Sequence, residues 1–243
     1  MGQTLKIEVI TSFNSHYYDL IGSDAVQSWL QHWPHTMSLT CYVEDMQLPA
    51  QPRIKQIGFD QLGAEYQSFQ SADVKGRVHI FAKKAYSVIH AMYHSGADRI
   101  MWLDADVITT RTVSQELLHS VMPDHVVSTH LGVTYTEDKK GRRGPWLVPE
   151  TGVFVLNTGH VMFDLFRQEY ARRYRERDFA DLRRSYDNDV YGAVITKYSM
   201  PSLDLCAGLK KAYKTPLKHT VLGDYLHHYK AKHSKDYFAA AAQ

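Results

Sequence analysis

Short apolar runs alternate with helical stretches along the first 130 residues, and that alternation leaves few folds open. KIEVITSF (6–13) is apolar and β-branched and ends in polar residues, the signature of a parallel strand. LTCYVED (39–45), RIKQIGF (53–59), RIMWLD (99–104) and HVVSTHLG (125–132) read as further strands. Ser23-Asp24 opens a helix through Ala25, Val26, Trp29 and Leu30, which Pro34 stops. VHIFAKKAYSVIHAMYH (78–94) carries a strong helical periodicity and ends at Gly96, and VSQELLHSV (113–121) is a shorter helix. This order predicts an α/β fold: one open, mostly parallel sheet with helices on both faces. Residues 60–76 are polar and read as a loop, as do 133–148. ETGVFVLN (150–157) reads as a strand, 160–177 as a long helix, Asp187 as the start of another helix, and SLDLCAG (202–208) as a last short strand before an irregular tail.

Composition narrows the classes. A chain of 243 residues with 44% hydrophobic content suits a single globular domain. No apolar run reaches the roughly 18 residues of a membrane span. A net charge of +2 is too balanced for a dedicated nucleic-acid binder. The opening MGQTLKIEVITSF enters a strand pattern without a signal-peptide layout, so the expected location is cytoplasmic. Cys41 and Cys206 are far apart and read as reduced, buried thiols. Basic runs at 139–143, 172–177, 183–184 and 210–211 read as solvated surface or as a rim that attracts an anionic ligand.

The strand at 99–103 ends in Asp104-Ala105-Asp106. Two carboxylates this close repel, so a Lys, an Arg or a divalent metal must offset them. In open α/β sheets ligands bind beyond the C-terminal ends of the strands, where this triplet and Thr11, Ser12, Phe13 and Asn14 fall. A hard cation such as Mn²⁺ or Mg²⁺ suits one or two carboxylates completed by substrate phosphate. The second triplet, Asp187-Asn188-Asp189, stands at a helix start, where an Asp is an ordinary N-cap. HHYKAKHSK (227–235) gathers three His and three Lys that no apolar periodicity explains. It reads as a charged surface tail, or as metal- and phosphate-binding groups on a lid.

A strand followed by D-x-D after a Rossmann-like half resembles glycosyltransferases of the GT-A fold, which transfer a sugar from a nucleotide diphosphate, usually with Mn²⁺. IFAKKAY (80–86) is similar to the F-x-x-K helix of some members. ETGVFVLN resembles their glycine-containing N-S-G-V strand, with Glu150 where the pattern has Asn. YDNDVYG (186–192) resembles the D-Q-x-x-x-N helix start of the glycogenin-like group, and LGDYLHHYKAKHSK (222–235) the closing H-x-K-G-x-x-K segment, with Ala231 in place of Gly.

The resemblance implies a single GT-A-like domain over 1–243, with a nucleotide-binding half (1–110), an acceptor-side half (111–220) and a C-terminal lid or tail (221–243). It implies that Asp104, Asp106 and His228 hold Mn²⁺ or Mg²⁺, with His227 as the alternative to His228. Asp104, with Ala105 beside it, would also touch the donor. Lys84 or Lys83 would reach the donor, and Lys230 and Lys235 would grip its diphosphate. Thr11, Phe13, Asn14 and Tyr17 would hold base and ribose. Glu150, Thr151 and Gly152 would shape the sugar pocket, and Asp187, Asp189 and Glu150 are the catalytic candidates. The implied donor is a UDP-sugar; the acceptor is open. The alternative reading is a haloacid-dehalogenase-type phosphatase, because WLDADVIT also matches that family's D-x-D-x-T/V signature and HVVST its second motif.

Overall fold

The computed structural model describes residues 5–72, 78–134, 147–182, 184–207 and 215–229. The first strand, β1 (Ile7–Asn14), passes into α1 (Ser15–Tyr17), a π-helical turn (Tyr18–Gly22) and α2 (Ser23–His32). Then come β2 (Ser38–Glu44), β3 (Ile54–Gly58), α3 (Ala64–Ser71), α4 (Val78–His94), β4 (Arg99–Leu103) and β5 (Val107–Thr109). The second half holds α5 (Gln115–Val121), β6 (Ser128–Thr134), β7 (Leu147–Asn157), α6 (Phe163–Arg175), α7 (Asp187–Lys197), β8 (Ser202–Asp204) and β9 (Leu226–His228).

Seven strands form one sheet in the order β3-β2-β1-β4-β7-β6-β8. β3, β2, β1 and β4 are mutually parallel, and β8 is parallel to β6. β7 is the exception, antiparallel to both β4 and β6. The fold is therefore the expected α/β sheet, mostly parallel and covered on both faces. β4 lies at its centre and is buried along its whole length. Successive side chains point to opposite faces. Ile100 and Trp102 join the core under α4, α6 and α7, and Met101 and Leu103 join the core under α2 and α5.

Three expectations need correction. The segment taken as loop at 60–76 contains a 3₁₀ turn (Phe59–Leu62) and α3. Tyr66 and Phe69, one turn apart, pack their rings on Tyr86 at 5.4 and 5.6 Å between centroids. Two aromatics suffice to dock a helix whose other residues, Ala64 apart, are polar; residues 73–77 lie outside the described set. Helix also begins earlier than expected, directly after β1, where Asn14 Oδ1 accepts from Tyr17 N at 2.8 Å, and the expected helix from Ser23 follows it as α2. Finally, residues 215–229 of the tail are built into the fold. Leu217, Leu222 and Leu226 are buried in the α2/α5 core, and β9 pairs antiparallel with β5. Cys41 and Cys206 are free and buried, as expected. Among the described residues no helix is long and apolar enough to cross a membrane.

Candidate functional site

The parallel strands all end toward one edge, and the acidic triplet emerges there from β4. A turn closes at once: Val107 N donates to Asp104 O at 3.0 Å, and β5 begins. The β5–β9 register pairs Val107 with His228, and Tyr229 N donates to Asp106 O at 3.0 Å. A backbone pairing across more than a hundred residues thus sets an imidazole against the two aspartates. Strand alternation turns His228 inward, 4% exposed at its side chain, while His227 faces out.

His228 Nε2 lies 3.1 Å from Asp106 Oδ1 and 3.7 Å from Asp104 Oδ2. One ligand atom from each of Asp104, Asp106 and His228 falls within 4.8 Å of the others. Two carboxylate oxygens and one imidazole nitrogen form a donor set that could hold a divalent metal ion. The electrostatics agree. Burial works against charge on the His228 ring, yet hydrogen bonds to Asp106 and Glu150 and the charges of both outweigh it, and its pKa is pushed up to about 10. The point favours positive charge.

The two aspartates are held differently. Asp104 Oδ1 accepts from Trp102 Nε1 at 2.7 Å and from Lys84 Nζ at 2.9 Å. Burial raises the Asp104 pKa despite Lys84 and His228. Burial also works to raise Asp106, but hydrogen bonds from His228 and from Tyr17, whose hydroxyl donates at 3.0 Å, hold its carboxyl below the usual range.

Lys84 comes from the inner face of α4 and is the hub of the site. It meets Asp104, then Asp187 Oδ2 at 3.1 Å, and donates to the Thr151 carbonyl. Burial opposes its charge, but the two carboxylates outweigh that and its pKa is raised. Thr151 Oγ1 donates to Asp187 Oδ2 at 2.6 Å. Asp187 is therefore not an N-cap, as its helix-start position suggested. Tyr186 takes that position, and the Asp187 carboxylate turns to a charged partner buried beside it. Asp189 pairs with Arg184 at 3.2 Å.

The β7 stretch is shaped by an irregularity. Register passes from His130↔Phe154 to Leu131↔Glu150, so residues 151–153 have no counterparts on β6. The freed backbone faces the site: Gly152 O accepts from Asp104 N at 2.8 Å. Glu150 Oε1 accepts from Gly152 N at 2.9 Å, and Glu150 Oε2 lies 3.5 Å from His228 Nδ1.

A cleft of about 290 Å³ opens beside the triad, lined by residues that include Ser12, Phe13, Asn14, Tyr17, Lys84, Asp104, Ala105 and Asp106. Thr11 does not line it. The cleft is lined by Ser12, Phe13 and Asn14, the last residues of β1, and Thr11 lies one step deeper in the strand, buried at 5% exposure. Lys83 does line it, in an ion pair with Glu44, and Phe59 and Ile80 complete the wall. Glu44 ends β2 as the triplet ends β4, so the strand-end rule that found one applies equally to the other. Ile80 sits one turn before Lys84 on the same helix face. Lys230 and Lys235 lie outside the described residues.

No protein-family model matches the chain, and no curated protein matches it. Solved structures do. The bifunctional glycosyltransferase WbbM, in its apo form, aligns with a TM-score of 0.55 at 14% identity. The alignment covers 84% of this chain and 39% of WbbM, so the chain spans well under half of that protein. An active-site mutant of LgtC aligns with a TM-score of 0.51 at 13% identity, over 85% of this chain and 79% of LgtC. At such identities the likeness establishes a shared fold.

Proposed function

We propose that this chain is a metal-dependent glycosyltransferase that moves a sugar from a nucleoside diphosphate donor, with UDP as the nucleotide the sequence resemblance implies. The observation that carries the reading is the Asp104–Asp106–His228 set at the C-terminal edge of the sheet, opening on a cleft of nucleotide size. The likeness in fold to a glycosyltransferase agrees with it.

Asp104, Asp106 and His228 would hold Mn²⁺ or Mg²⁺, which supplies positive charge to a departing diphosphate. The rest is done by the chain. Phe13, Tyr17, Phe59 and Ile80 give the nucleoside apolar surface, and Ser12 and Asn14 give it polar contacts. Ala105 brings backbone close to the donor. Lys84 locks Asp104 and Asp187 in place at no further ordering cost on substrate binding. Lys230 and Lys235, just after β9, take the diphosphate. Asp187 and Asp189, at the start of α7, are the carboxylates for the sugar or for the acceptor hydroxyl. Residues 1–110 then serve the donor and 111–220 the acceptor. In the phosphatase alternative Asp104 attacks phosphorus. Here its Oδ1 already accepts from both Trp102 and Lys84, an arrangement suited to holding a carboxylate still and poorly suited to a nucleophile.

The test is thermal stability with UDP, GDP, ADP and CMP, each with Mn²⁺ or with EDTA, for the wild type and Asp106→Ala. A ligand that binds only the native state adds about 2.7 kcal/mol at 100 times its Kd. The expected result is a Mn²⁺-dependent shift with one diphosphate, lost in Asp106→Ala. No shift with any diphosphate overturns the reading.

A further inference from the structure

We propose that Glu150 is a positioning residue of the metal site: its carboxylate, set against His228 Nδ1, takes the N–H of that nitrogen when a metal is bound and so commits Nε2 to the metal. The inference rests on the metal reading above and goes beyond it. The ring has two nitrogens with different surroundings. Nε2 faces both aspartates, and Nδ1 faces the Glu150 carboxylate at 3.5 Å. A carboxylate can only accept. When a cation takes the place of the Nε2 proton between the aspartates, the carboxylate set against Nδ1 keeps the remaining proton there and leaves the Nε2 lone pair for the metal. An amide at 150, as the resembling pattern has, could either donate or accept and would leave the tautomer open. A carboxylate behind a ligating imidazole also raises its basicity and fixes its plane.

The carboxylate is itself held in place. Its Oε1 accepts from Gly152 N at 2.9 Å. Gly152 has the space for this arrangement only because it lacks a side chain. A Cβ there would lie 2.3 Å from His228 Cε1, 2.6 Å from His228 Nδ1 and 2.9 Å from Glu150 Oε1. The same glycine accepts from Asp104 N through its carbonyl. One irregular stretch of β7 thus supports the imidazole from behind and Asp104 from the side. Glu150 Oε1 is taken by Gly152 N and Oε2 faces the imidazole, so in this reading Glu150 serves the metal site and the catalytic carboxylates are Asp187 and Asp189.

The experiment is a Mn²⁺ titration of the full chain followed by electron paramagnetic resonance, without nucleotide. It compares wild type, Glu150→Gln, Glu150→Ala and Asp106→Asn. Losing such an outer partner weakens metal binding by about 10–100-fold, and this is the result expected for Glu150→Ala. Glu150→Gln keeps size and fold and is expected to fall between it and the wild type. Nitrogen NMR of labelled histidine with Mg²⁺ should show Nδ1 protonated in the wild type and a mixture of tautomers in Glu150→Gln. Equal Mn²⁺ affinity in the wild type and both Glu150 variants, with binding abolished in Asp106→Asn, overturns the role of Glu150 alone. A wild-type chain with no saturable Mn²⁺ site overturns the metal reading and this inference with it.

Discussion

Asp104 and Asp106 differ by one intervening alanine, yet their surroundings push them in opposite directions. Burial raises Asp104 even though Lys84 touches it, and His228 and Tyr17 hold Asp106 down. The pair can therefore sit close without both charges meeting unshielded. Trp102 illustrates how one residue serves two ends: its ring is 1% exposed in the core under α4, and its indole N–H fixes Asp104. Gly152 is the residue on which this packing depends most sharply. Gly152→Ala would place a methyl carbon 2.3 Å from His228 Cε1, so the imidazole must move. Overpacking of this kind costs about 1–3 kcal/mol. The expected outcome is that loss in urea unfolding, together with Mn²⁺ binding weakened by about 10-fold or more as the imidazole loses its place. A variant with wild-type stability and wild-type Mn²⁺ affinity would show that His228 is not confined as the geometry says.

At the scale of elements, the site depends on how α7 is fastened, because α7 begins with Asp187. Glu169 of α6 does this. It is 5% exposed and accepts from Arg172 at 2.9 Å and from Lys197, at the end of α7, at 2.8 Å. The Arg172 hydrogen bond, then Lys197, hold its pKa down to about 2 against the opposing effect of burial. The unfolded value is about 4.3. A carboxyl depressed in the folded state adds stability above its unfolded pKa and loses it as pH falls through the folded one. The clip is thus complete above about pH 4.5 and lost by about pH 2. Arg172 and Lys197 are partly exposed, so solvent screens the network and its worth is about 1 kcal/mol. Glu169→Gln should flatten the stability curve between those pH values, as read by urea unfolding across the range. An unchanged slope would place the acid sensitivity elsewhere.

The same scale shows what could be read in advance. RIMWLD was legible because a continuous apolar run and its terminal carboxylates are adjacent in the chain. The helix 78–94 was legible because seventeen residues carry one clear period. α3 was not, because Tyr66 and Phe69 alone carry its apolar face. The β5–β9 pairing was not either, since a three-residue strand has no period of its own and its partner lies over a hundred residues away. His228 could be nominated from composition, but only that pairing turns it inward and His227 outward. Thr11 does not reach the cleft because only the last three residues of β1 do, and the apolar run does not show where along the strand the sheet edge falls.

On the scale of the whole molecule, chemistry is confined to one edge of the sheet. β1, β2 and β4 run the same way, so Asn14, Glu44 and Asp104 all emerge together. The helices cover the faces and leave this edge to the β1–α1 turn, the β4–β5 turn and β9. Those segments come from residues 12–18, 104–109 and 226–229, with Glu150–Gly152 of β7 beside them. None of these segments is complete as a site without the others, so a bound nucleotide and metal should tie them together. Ligands raise the free energy of local opening where they bind. In amide hydrogen exchange with Mn²⁺ and the diphosphate that shifts stability, protection should increase in 12–18, 104–109, 150–152 and 226–229. Residues 36–38 and 95–99, where β2 and β4 begin at the opposite edge, should exchange as before. Protection that appears first at the opposite edge would mean that the ligand occupies a different face of the sheet, and the assignment of the cleft would fall with it.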